Sequence, residues 1–404
     1  PKFLPNFNIS VAVTDSFMTA LAAGKKYPLI NPRTKKEVGR LDAKGVWNAL
    51  IEAAGQAGDP GVIFIAEINR HNSVPNVGEI EATNPCGEQP LFPYESCNLG
   101  SINLAKMAGE KGDVDWAKLK RTVHTAVHFL DNVIDVNRYP LPEIEKMTRA
   151  NRKIGLGVMG WAELLIRLGV KYDSAEAVRL AEKLMESVNN EARKASEELG
   201  RKRGSFPNFA ASPLAKKYSA MRNATVTTIA PTGTLSIIAG CSSGIEPLFA
   251  VAFMRHVMEG KKLFEINPEF ERAAKKEGIY SAKLLGSIIK SGSVRKLPIP
   301  KKFRRLFVVA GDIGPEWHIK MQAAFQKHTD NAVSKTINFP QNAKVADVKR
   351  AYELAWKLKC KGITVYRYGS KPEQVLYIGE AAKYVHAESE YAGGCPTKTC
   401  PFPS

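Results

Sequence analysis

The spacing of apolar and polar residues predicts helices that alternate with short buried strands. Residues 43–56 have helical amphipathic spacing, and the Gly/Pro-containing stretch 58–61 interrupts that pattern before the apolar run 62–65. The same order returns near the end of the chain, where a predicted helix over 344–360 precedes a predicted strand over 363–366. This alternation is typical of α/β folds whose helices cover a largely parallel sheet, and active sites in such folds lie at strand ends.

Two long helices are predicted in the middle of the chain. Between 116 and 136 the apolar residues follow one helical face, at positions 119, 123, 127, 130 and 134. The second helix runs from about 174 to 199, with Asp173 in a capping position and Gly200 as the expected C-terminal stop. These helices extend the alternation of helices and strands over most of the chain.

The composition is that of a globular protein. The chain has 404 residues, of which 44% are hydrophobic and 24% charged, so it can bury a sizeable core in two or three units or in one large α/β barrel. It contains no run of about 18 apolar residues, which excludes a membrane-spanning helix. We therefore expect a cytoplasmic protein with no membrane partner.

The chain is strongly basic. Lys and Arg total 58 against 40 acidic residues, and the net charge of +18 favours anionic partners such as nucleotides or nucleic acid. The basic residues lie in short clusters, as at 201–203 and 301–305, and most of them are expected to be solvated surface. We therefore expect no nucleic-acid partner.

A cysteine between an amide and a carboxylate is the most informative chemical feature. In an extended chain Asn84, Cys86 and Glu88 face one side, spaced to meet one small molecule. Gly87 lets the backbone bend or approach another group closely. The alternative interpretation is a polar turn that carries an incidental buried cysteine. His71 is the only histidine close in sequence, so nothing local supports a conventional Cys–His acyl-transfer site.

Three further cysteines are candidates for the same chemistry. Cys97 lies eleven positions after the first thiol, and Cys395 and Cys400 form a close pair in the C-terminal stretch 382–404. That stretch has little apolar periodicity and is expected to be a mobile tail. Lys398 between the two tail thiols favours thiolate, so the pair is interpreted as an electron carrier that closes a small disulfide. Half of a zinc site is the competing interpretation, but no second Cys or His pair lies nearby.

Several other signals are interpreted as structural. Residues 155–160 match a Gly-x-Gly-x-x-Gly dinucleotide fingerprint, but 148–153 before them are polar rather than a strand, and close helix packing is the better explanation. His124 and His128 lie four apart on a helix without an evident third ligand, so we predict no metal site. Two cysteines have no partner in sequence and are predicted to be structural: Cys241 and Cys360.

A loop of small and hydroxyl-bearing residues follows the β-rich segment 225–229. Hydroxyls, a glycine and consecutive backbone N–H groups suit an anion, especially if a helix starts there. Without further support an ordinary turn is the simpler explanation, since Thr- and Ser-containing loops are common. The candidate anion-binding residues are Pro231, Thr232, Gly233, Thr234, Leu235 and Ser236.

Several sequence segments together resemble the catalytic subunit of ribonucleotide reductase, specifically its adenosylcobalamin-dependent class II branch. The strongest are NPCGEQPL at 84–91 and ESCNLGSINL at 95–104. Further similar segments lie at 6–11, 152–160, 230–234, 244–247 and 362–369. The resemblance therefore extends over nearly the whole chain.

The resemblance implies a role for each candidate residue. Cys86 would be the thiyl radical that takes the 3′ hydrogen of the ribose, Glu88 the base on the 3′ hydroxyl, and Asn84 a group that holds the sugar. Cys97 matches one member of the redox pair that supplies two electrons. The tail pair would re-reduce the site by disulfide exchange and pass oxidising equivalents to a thioredoxin-like or glutaredoxin-like protein. The loop 231–236 matches the loop of the family that binds the substrate phosphates.

The resemblance also implies an organisation. Residues 1–381 would be the C-terminal part of a ten-stranded α/β barrel, here incomplete, with a finger loop at about 84–91, and residues 382–404 a redox tail. In the family more chain precedes the finger loop, including the cysteine that pairs with Cys97. We therefore expect an N-terminal portion of the same enzyme as a partner, and a homodimer.

Adenosylcobalamin is the expected cofactor. Class I catalytic subunits carry two adjacent tyrosines that relay a radical, whereas here Tyr366 and Tyr368 are separated by Arg367. The expected activity is the reduction of ribonucleotides, most simply diphosphates, to 2′-deoxyribonucleotides. The alternative is a non-catalytic basic protein that binds nucleotides or nucleic acid and whose cysteines are structural.

Overall fold

The computed structural model describes residues 7–110, 112–256 and 262–370 and has a mixed α/β architecture. The strands are β1 (Ser10–Val13), β2 (Lys26–Ile30), β3 (Glu37–Asp42), β4 (Gly61–Phe64), β5 (Ala82–Thr83), β6 (Pro90–Leu91), β7 (Asn98–Asn103), β8 (Ile154–Met159), β9 (Ala252–His256), β10 (Lys262–Ile266), β11 (Thr336–Phe339) and β12 (Gly362–Arg367). The helices are α1 (Asp15–Ala22), α2 (Ala43–Ala57), α3 (Ile65–Arg70), α4 (Trp116–Val136), α5 (Pro142–Asn151), α6 (Trp161–Leu168), α7 (Ala175–Arg203), α8 (Gly233–Ala239), α9 (Pro268–Lys276), α10 (Ala282–Ser291), α11 (Lys301–Leu306), α12 (Pro315–Gln326) and α13 (Val345–Lys357). Within these ranges no helix is both long and apolar enough to cross a lipid bilayer.

Four strands form the largest sheet, in the order β1-β4-β12-β11. β1 runs parallel to β4 and β11 parallel to β12, whereas β4 and β12 are antiparallel. One hydrophobic core joins this sheet to α1, α2 and α13, and within it the rings of Trp47 and Tyr352 meet edge to face with centroids 6.1 Å apart. The helix–strand pairs predicted at 43–65 and 344–366 are therefore confirmed, and they are neighbours in one sheet.

A second group of strands is centred on β8, which is buried along its whole length. β7 runs parallel to β8 on one side. On the other side lies the β-rich segment 225–229, where the carbonyl oxygen of Thr225 accepts a hydrogen bond from the N–H of Ile154 at 3.1 Å. The next neighbour is the segment 331–334, because the N–H of Ile229 donates to the carbonyl oxygen of Ala332 at 3.1 Å. The predicted strand at 225–229 thus pairs through isolated bridges.

The described strands form mixed sheets with open edges, and no ring of ten strands closes within the described ranges. Residues 331–334, which pair with 225–229, lead directly into β11, so one stretch of chain links the two groups of strands. Among the strands that the structure describes, β1 and β7 each pair with a strand on one side. The α/β class predicted from the sequence is confirmed, and the sheets found here are mixed and open.

The glycines of β8 permit an unusually close contact between strands. A Cβ atom on Gly157 would lie 2.3 Å from the carbonyl oxygen of Thr228, closer than Cβ contacts normally occur. The sequence interpretation of residues 155–160 as a site of helix packing is therefore wrong for Gly155 and Gly157, which lie within β8 and pack against Thr228 in the segment 225–229. Gly160, with φ of +72°, ends the strand and lets α6 begin at once.

The long helix α7 differs from its predicted ends. Its N-cap is Ser174 rather than Asp173, because the Ser174 hydroxyl accepts a hydrogen bond from the N–H of Ala177 at 3.1 Å. The helix also continues through Gly200 and ends at Arg203. Gly200 is needed for packing, since a Cβ atom there would lie 2.9 Å from the backbone nitrogen of Met221.

Candidate active site

The finger loop, residues 84–91, is a hairpin closed by one of its own side chains. Its base is the antiparallel pair of β5 and β6. The N–H of Asn84 donates to the carbonyl oxygen of Gln89 at 3.0 Å, and the N–H of Gln89 donates to Oδ1 of Asn84 at 2.9 Å. The N–H of Gly87 also donates to the carbonyl oxygen of Asn84, at 3.0 Å. The tip that carries Cys86 is therefore preorganised by short-range hydrogen bonds.

Glu88 fixes this loop to the strands behind it through its backbone. Its carbonyl oxygen accepts hydrogen bonds from Oγ1 of Thr228 and from the N–H of Ala332, both at 2.9 Å. These two residues belong to the neighbouring segments 225–229 and 331–334. Hydrogen bonds from these two segments to one backbone carbonyl therefore set the position of the loop.

Cys86 lies at the exposed tip of the loop. Its neighbour Gly87 has φ of +81° and has open space where a side chain would be. Partial desolvation of the thiol, together with the nearby negative charge of Glu88, raises the pKa of Cys86 above its ordinary value. The thiol is therefore protonated at neutral pH and keeps its S–H bond.

The carboxyl group of Glu88 is buried behind the thiol, with 2% of the residue exposed. Burial raises the pKa of Glu88, and a hydrogen bond from the side chain of Asn84 opposes that rise. Its Oε2 atom is buried without a hydrogen-bond partner among the described residues. One carboxylate oxygen is thus left free for another group.

Cys97 is half-buried just before β7, and its thiol contacts the carbonyl oxygen of Asn98 at 3.5 Å. Burial is the main cause that raises the pKa of Cys97; the charges of Glu95 and Glu88 add to the rise, and Lys153 opposes it. The carboxylate of Glu88 therefore lies near enough to influence both this thiol and that of Cys86. The structure thus brings these three predicted site residues into one neighbourhood.

A buried ion pair supports the segment that carries Cys97, and sequence reasoning did not find it. Nζ of Lys153 lies 2.7 Å from Oε2 of Glu95, and both side chains are almost completely buried. Asn151 donates to the other oxygen of Glu95 at 2.6 Å, and the ammonium group also lies 4.4 Å from the ring centre of Phe92. The one available signal was that both charged residues fall in segments that resemble the family.

The loop 231–236 begins directly after the segment that contacts Glu88. At about 3.3 Å per residue, Pro231 lies within about 10 Å of Thr228 along the chain. Thr232 has φ of +55°, and its hydroxyl accepts a hydrogen bond from the N–H of Gly244 at 2.7 Å. The helix α8 begins at Gly233, so the first N–H groups of this helix lie within the predicted anion-binding loop.

A second ion pair, between buried Lys335 and partly exposed Glu246, lies beside this loop and was also missed. Nζ of Lys335 contacts Oε2 of Glu246, and Nδ1 of His318 lies 3.0 Å from the same ammonium group. Burial lowers the pKa of Lys335, and the charge of Glu246 opposes that shift. Burial and the Lys335 charge lower the pKa of His318 well below its ordinary value, so the imidazole is neutral.

Other candidate residues behave as structural groups. His124 pairs with Glu191 at 2.9 Å, whereas His128 contacts Arg203 at 3.0 Å, so the two histidines have separate partners within the protein. Within the described ranges no three His, Cys, Asp or Glu side chains converge to hold a metal ion. Two cysteines are unpaired thiols away from the finger loop: buried Cys360 and half-buried Cys241.

Two cavities of the described structure lie outside the candidate site. A cavity of about 300 Å³ lies between β7 and α4, and another of about 530 Å³ is lined by residues 75–76 and 210–216. Neither is lined by the finger loop or by 231–236. The predicted tail pair, Cys395 and Cys400, lies outside the described residues.

Known proteins resemble this chain over almost all of its length. The vitamin B12-dependent ribonucleoside-diphosphate reductase of Thermoplasma acidophilum is 49% identical over 99% of this chain and 54% of its own. The protein of the same name from Mycobacterium tuberculosis strain H37Rv is 52% identical over 100% of this chain and 57% of its own. This chain therefore spans about half the length of the curated relatives that it matches.

A solved structure shares the fold. The class Id ribonucleotide reductase alpha subunit of Actinobacillus ureae superposes with a TM-score of 0.72, at 22% identity, over 90% of this chain and 65% of that one. A model of the family described as "Ribonucleotide reductase, barrel domain" matches residues 1–366. Because this match covers most of the chain and agrees with the close relatives, the chain belongs to the ribonucleotide reductase family and carries its barrel domain.

Proposed function

We propose that this chain carries the radical-bearing part of an adenosylcobalamin-dependent enzyme that reduces ribonucleoside diphosphates to 2′-deoxyribonucleotides. The names of the most similar relatives support the reaction and the cofactor. The contacts of the finger loop support the roles of individual residues. The observation that carries the proposal is an exposed, protonated thiol at Cys86 beside the buried carboxyl group of Glu88, which has one free oxygen.

The state of the Cys86 thiol favours hydrogen-atom chemistry over nucleophilic chemistry. A nucleophilic cysteine needs a lowered pKa, supplied by a neighbouring cation, a metal or a helix N-terminus. Here desolvation and the charge of Glu88 raise the pKa instead. A thiol that retains its hydrogen can lose that atom to an oxidant and regain it at the end of each turnover.

The proposed reaction balances with Cys86, Glu88, Cys97 and one further thiol. The Cys86 sulfur radical takes the hydrogen atom from C3′, and Glu88 accepts the proton of the 3′ hydroxyl. The 2′ hydroxyl then leaves as water. Two thiols, one of them Cys97, supply one proton to that water and one hydrogen atom to C2′. The sulfurs join in a disulfide, and the remaining electron passes to the C3′ ketone, which becomes a C3′ radical again. Cys86 returns its hydrogen atom to C3′, and Glu88 returns its proton.

Asn84 has two functions in this proposal. Its amide oxygen closes the finger loop through the N–H of Gln89, and its side chain also hydrogen-bonds Glu88. The proposed contact of Asn84 with the sugar therefore comes from an amide whose orientation is already fixed. Loss of the amide would disturb the loop and the base together.

The surroundings of Cys86 fit a bulky cofactor. The thiol is exposed, and nothing lies within 4 Å of the position that a side chain on Gly87 would take. When bound, adenosylcobalamin supplies the one-electron oxidant that removes the hydrogen atom from the thiol. Cys86 and Gly87 are the residues of this chain that would face it. The separation of Tyr366 and Tyr368 by Arg367 supports a cofactor-derived radical over one relayed through adjacent tyrosines.

The remaining parts of the proposal concern assembly. The open edges of β1 and β7 support completion to a ten-stranded barrel by sequence that corresponds to the part of the relatives not covered here. We assign the second redox cysteine, which pairs with Cys97, to that sequence. The loop 231–236 would bind the substrate phosphates, and Cys395 and Cys400 in the tail 382–404 would exchange disulfides with a thioredoxin-like or glutaredoxin-like protein. A homodimer is the proposed assembly.

The decisive experiment compares the wild-type protein with Cys86→Ser in its full natural length. Both are incubated with adenosylcobalamin, a ribonucleoside diphosphate and a dithiol, and 2′-deoxyribonucleotide is quantified by chromatography. We expect product from the wild type and none from Cys86→Ser, with the same affinity for the nucleotide. Nucleotide binding without product in the wild type would favour the alternative of a non-catalytic nucleotide-binding protein. Unchanged turnover in the variant would instead refute the radical role of Cys86.

A further inference from the structure

Residues 242–246, here called the supporting segment, keep the loop 231–236 in a strained shape. Thr232 has φ of +55°, a left-handed conformation that is costly for a β-branched residue. Such a conformation persists only where the surroundings fix it. The contact that fixes it is the hydrogen bond from the N–H of Gly244 to the hydroxyl of Thr232, at 2.7 Å.

The supporting segment touches the loop at two more points. The hydroxyls of Ser243 and Ser236 lie 2.9 Å apart. Gly244 approaches the start of the loop so closely that a Cβ atom there would lie 2.9 Å from the carbonyl oxygen of Ala230. The shape of the loop therefore depends on where the supporting segment lies.

A buried carboxylate on α6 holds the first end of the supporting segment. Oε2 of Glu163 accepts hydrogen bonds from both the N–H and the hydroxyl of Ser242, at 2.9 and 2.6 Å. Its other oxygen accepts a bond from the side-chain amide of Asn267 at 3.4 Å. Glu163 is 5% exposed, so these donors replace water around its charge.

A second carboxylate holds the other end. Oε1 of Glu246 accepts the N–H of Thr336 at 2.7 Å, and its Oε2 contacts Nζ of Lys335. Between the two ends, the hydroxyl of Tyr172 donates to the carbonyl oxygen of Ile245 at 2.7 Å. The supporting segment is thus attached to α6, to the start of β11 and to a buried tyrosine.

Both carboxylates receive donors on both of their oxygens. A carboxylate accepts on either oxygen, whereas an amide presents one acceptor and one donor. Replacing Glu246 by glutamine therefore sets a donor against the Lys335 ammonium or the Thr336 N–H. Glutamine at position 163 can keep its oxygen on Ser242 only by setting its NH2 group against the side-chain amide of Asn267. The volume of the side chain changes little, so the effect on position is separated from an effect on packing.

We propose that Glu163 and Glu246 are positioning residues for the substrate phosphates. They act through the supporting segment, which fixes Thr232 and with it the shape of the loop 231–236. This inference rests on the proposed function of the loop 231–236 as the site of the substrate phosphates. It adds two residues that touch neither the substrate nor the reacting atoms.

The test measures how much the phosphates contribute to binding. Equilibrium binding of a nucleoside diphosphate and of the matching nucleoside is compared in the full-length protein for the wild type, Glu163→Gln and Glu246→Gln. We expect each variant to bind the diphosphate about tenfold more weakly, with the affinity for the nucleoside unchanged within about twofold. In steady-state kinetics we expect both variants to have a higher KM for the diphosphate and the kcat of the wild type.

Two milder variants keep the test informative if a carboxylate variant does not fold. Tyr172→Phe removes one bond to the supporting segment, and we expect diphosphate binding to weaken about threefold. Thr232→Val removes the hydroxyl that accepts the Gly244 N–H and should weaken diphosphate binding, whereas Thr232→Ser keeps the hydroxyl and should bind as the wild type does. Glu191→Gln, at a paired carboxylate on α7, is the control and should leave the ratio of the two affinities unchanged.

The outcomes distinguish a failure of the proposed loop function from a failure of the inference about Glu163 and Glu246. If the wild type binds the nucleoside as tightly as the diphosphate, the proposed function of the loop is wrong and this inference falls with it. If the wild type prefers the diphosphate but both affinities fall together in the variants, Glu163 and Glu246 are general structural residues and the inference alone is overturned. A lowered melting temperature with an unchanged affinity ratio also overturns it.

Discussion

The side-chain amide nitrogen of Gln89 lies 2.6 Å from the position that a Cβ atom on Gly155 would occupy. The finger loop and β8 therefore fit together only because residue 155 has no side chain. Both polar atoms of the Gln89 amide are buried without a partner among the described residues, so space rather than hydrogen bonding sets its position.

Replacing the β8 glycines tests this fit. In Gly157→Ala the new methyl group meets the carbonyl oxygen of Thr228, which cannot move without disturbing strand pairing, and we expect a loss of about 3 kcal/mol in the free energy of unfolding. In Gly155→Ala the contacted atoms belong to side chains that can shift, and about 1–2 kcal/mol is expected. Urea denaturation measures both.

Gly286 provides the control for these substitutions. It lies within α10, and nothing is within 4 Å of its Cβ position. We expect Gly286→Ala to stabilise the protein by about 0.5–1 kcal/mol, because alanine is the better helix former. Equal effects at positions 157 and 286 would contradict the close strand contact.

Separate substitution of two cysteines distinguishes an effect on activity from an effect on stability. Cys86 is exposed, so Cys86→Ser should leave the melting temperature unchanged while turnover is lost. Cys360 is buried in apolar surroundings that raise its pKa to about 12, and Cys360→Ser places a hydroxyl there at a cost of about 1–3 kcal/mol while turnover is kept. Calorimetry and product analysis of both variants check this. Retained turnover in Cys86→Ser would refute the radical role.

The raised pKa of Glu88 predicts how the stability of the protein depends on pH. Burial raises its pKa in the folded protein above the ordinary value of 4.5, so folding favours the protonated form. The carboxyl group therefore contributes full stability below pH 4.5, and that contribution is lost as the pH rises through the raised value. We expect Glu88→Gln to be more stable than the wild type at neutral pH and to lose that advantage at low pH, in thermal unfolding over a pH series.

The same carboxylate must be ionised to accept a proton. The wild-type rate should therefore fall with decreasing pH at an apparent pKa above 4.5, and Glu88→Gln should lose about 10²–10⁴ in kcat.

Glu191 is the matched control for the stability measurement, because its pKa is shifted in the opposite direction. Although desolvation opposes it, pairing with Lys194 and His124 lowers its pKa to about 2, so Glu191→Gln should be less stable than wild type at neutral pH. That deficit should disappear as the pH falls below 4.5 towards 2.

The ion pair beneath Cys97 is expected to be costly to break from one side. Lys153→Met leaves the Glu95 carboxylate buried without its cation, and we expect a loss of about 3–5 kcal/mol. The double variant Lys153→Met/Glu95→Gln removes both charges and should recover most of that loss. Chemical denaturation of the two single variants and the double variant measures the coupling; additive losses would show that the pair does not act as a unit.

Local sequence patterns were sufficient for much of the secondary structure. The helices α2, α4 and α13 lie where the apolar spacing predicts them, because that spacing records which face of a helix is buried. The order Asn84, Cys86, Glu88 also predicts the candidate chemistry, which depends on three residues of one short loop. These features depend on residues that are neighbours in the chain.

Contacts between distant parts of the chain decided the rest. Gly200 predicts a helix stop by its residue type, but its packing against Met221 makes it part of the helix interior. The ion pair of Lys153 with Glu95 and the hydrogen bond between Gly244 and Thr232 depend on how strands and loops meet after folding. Periodicity in the sequence does not predict such contacts, because residue type and local spacing do not specify which distant group will fill a given space.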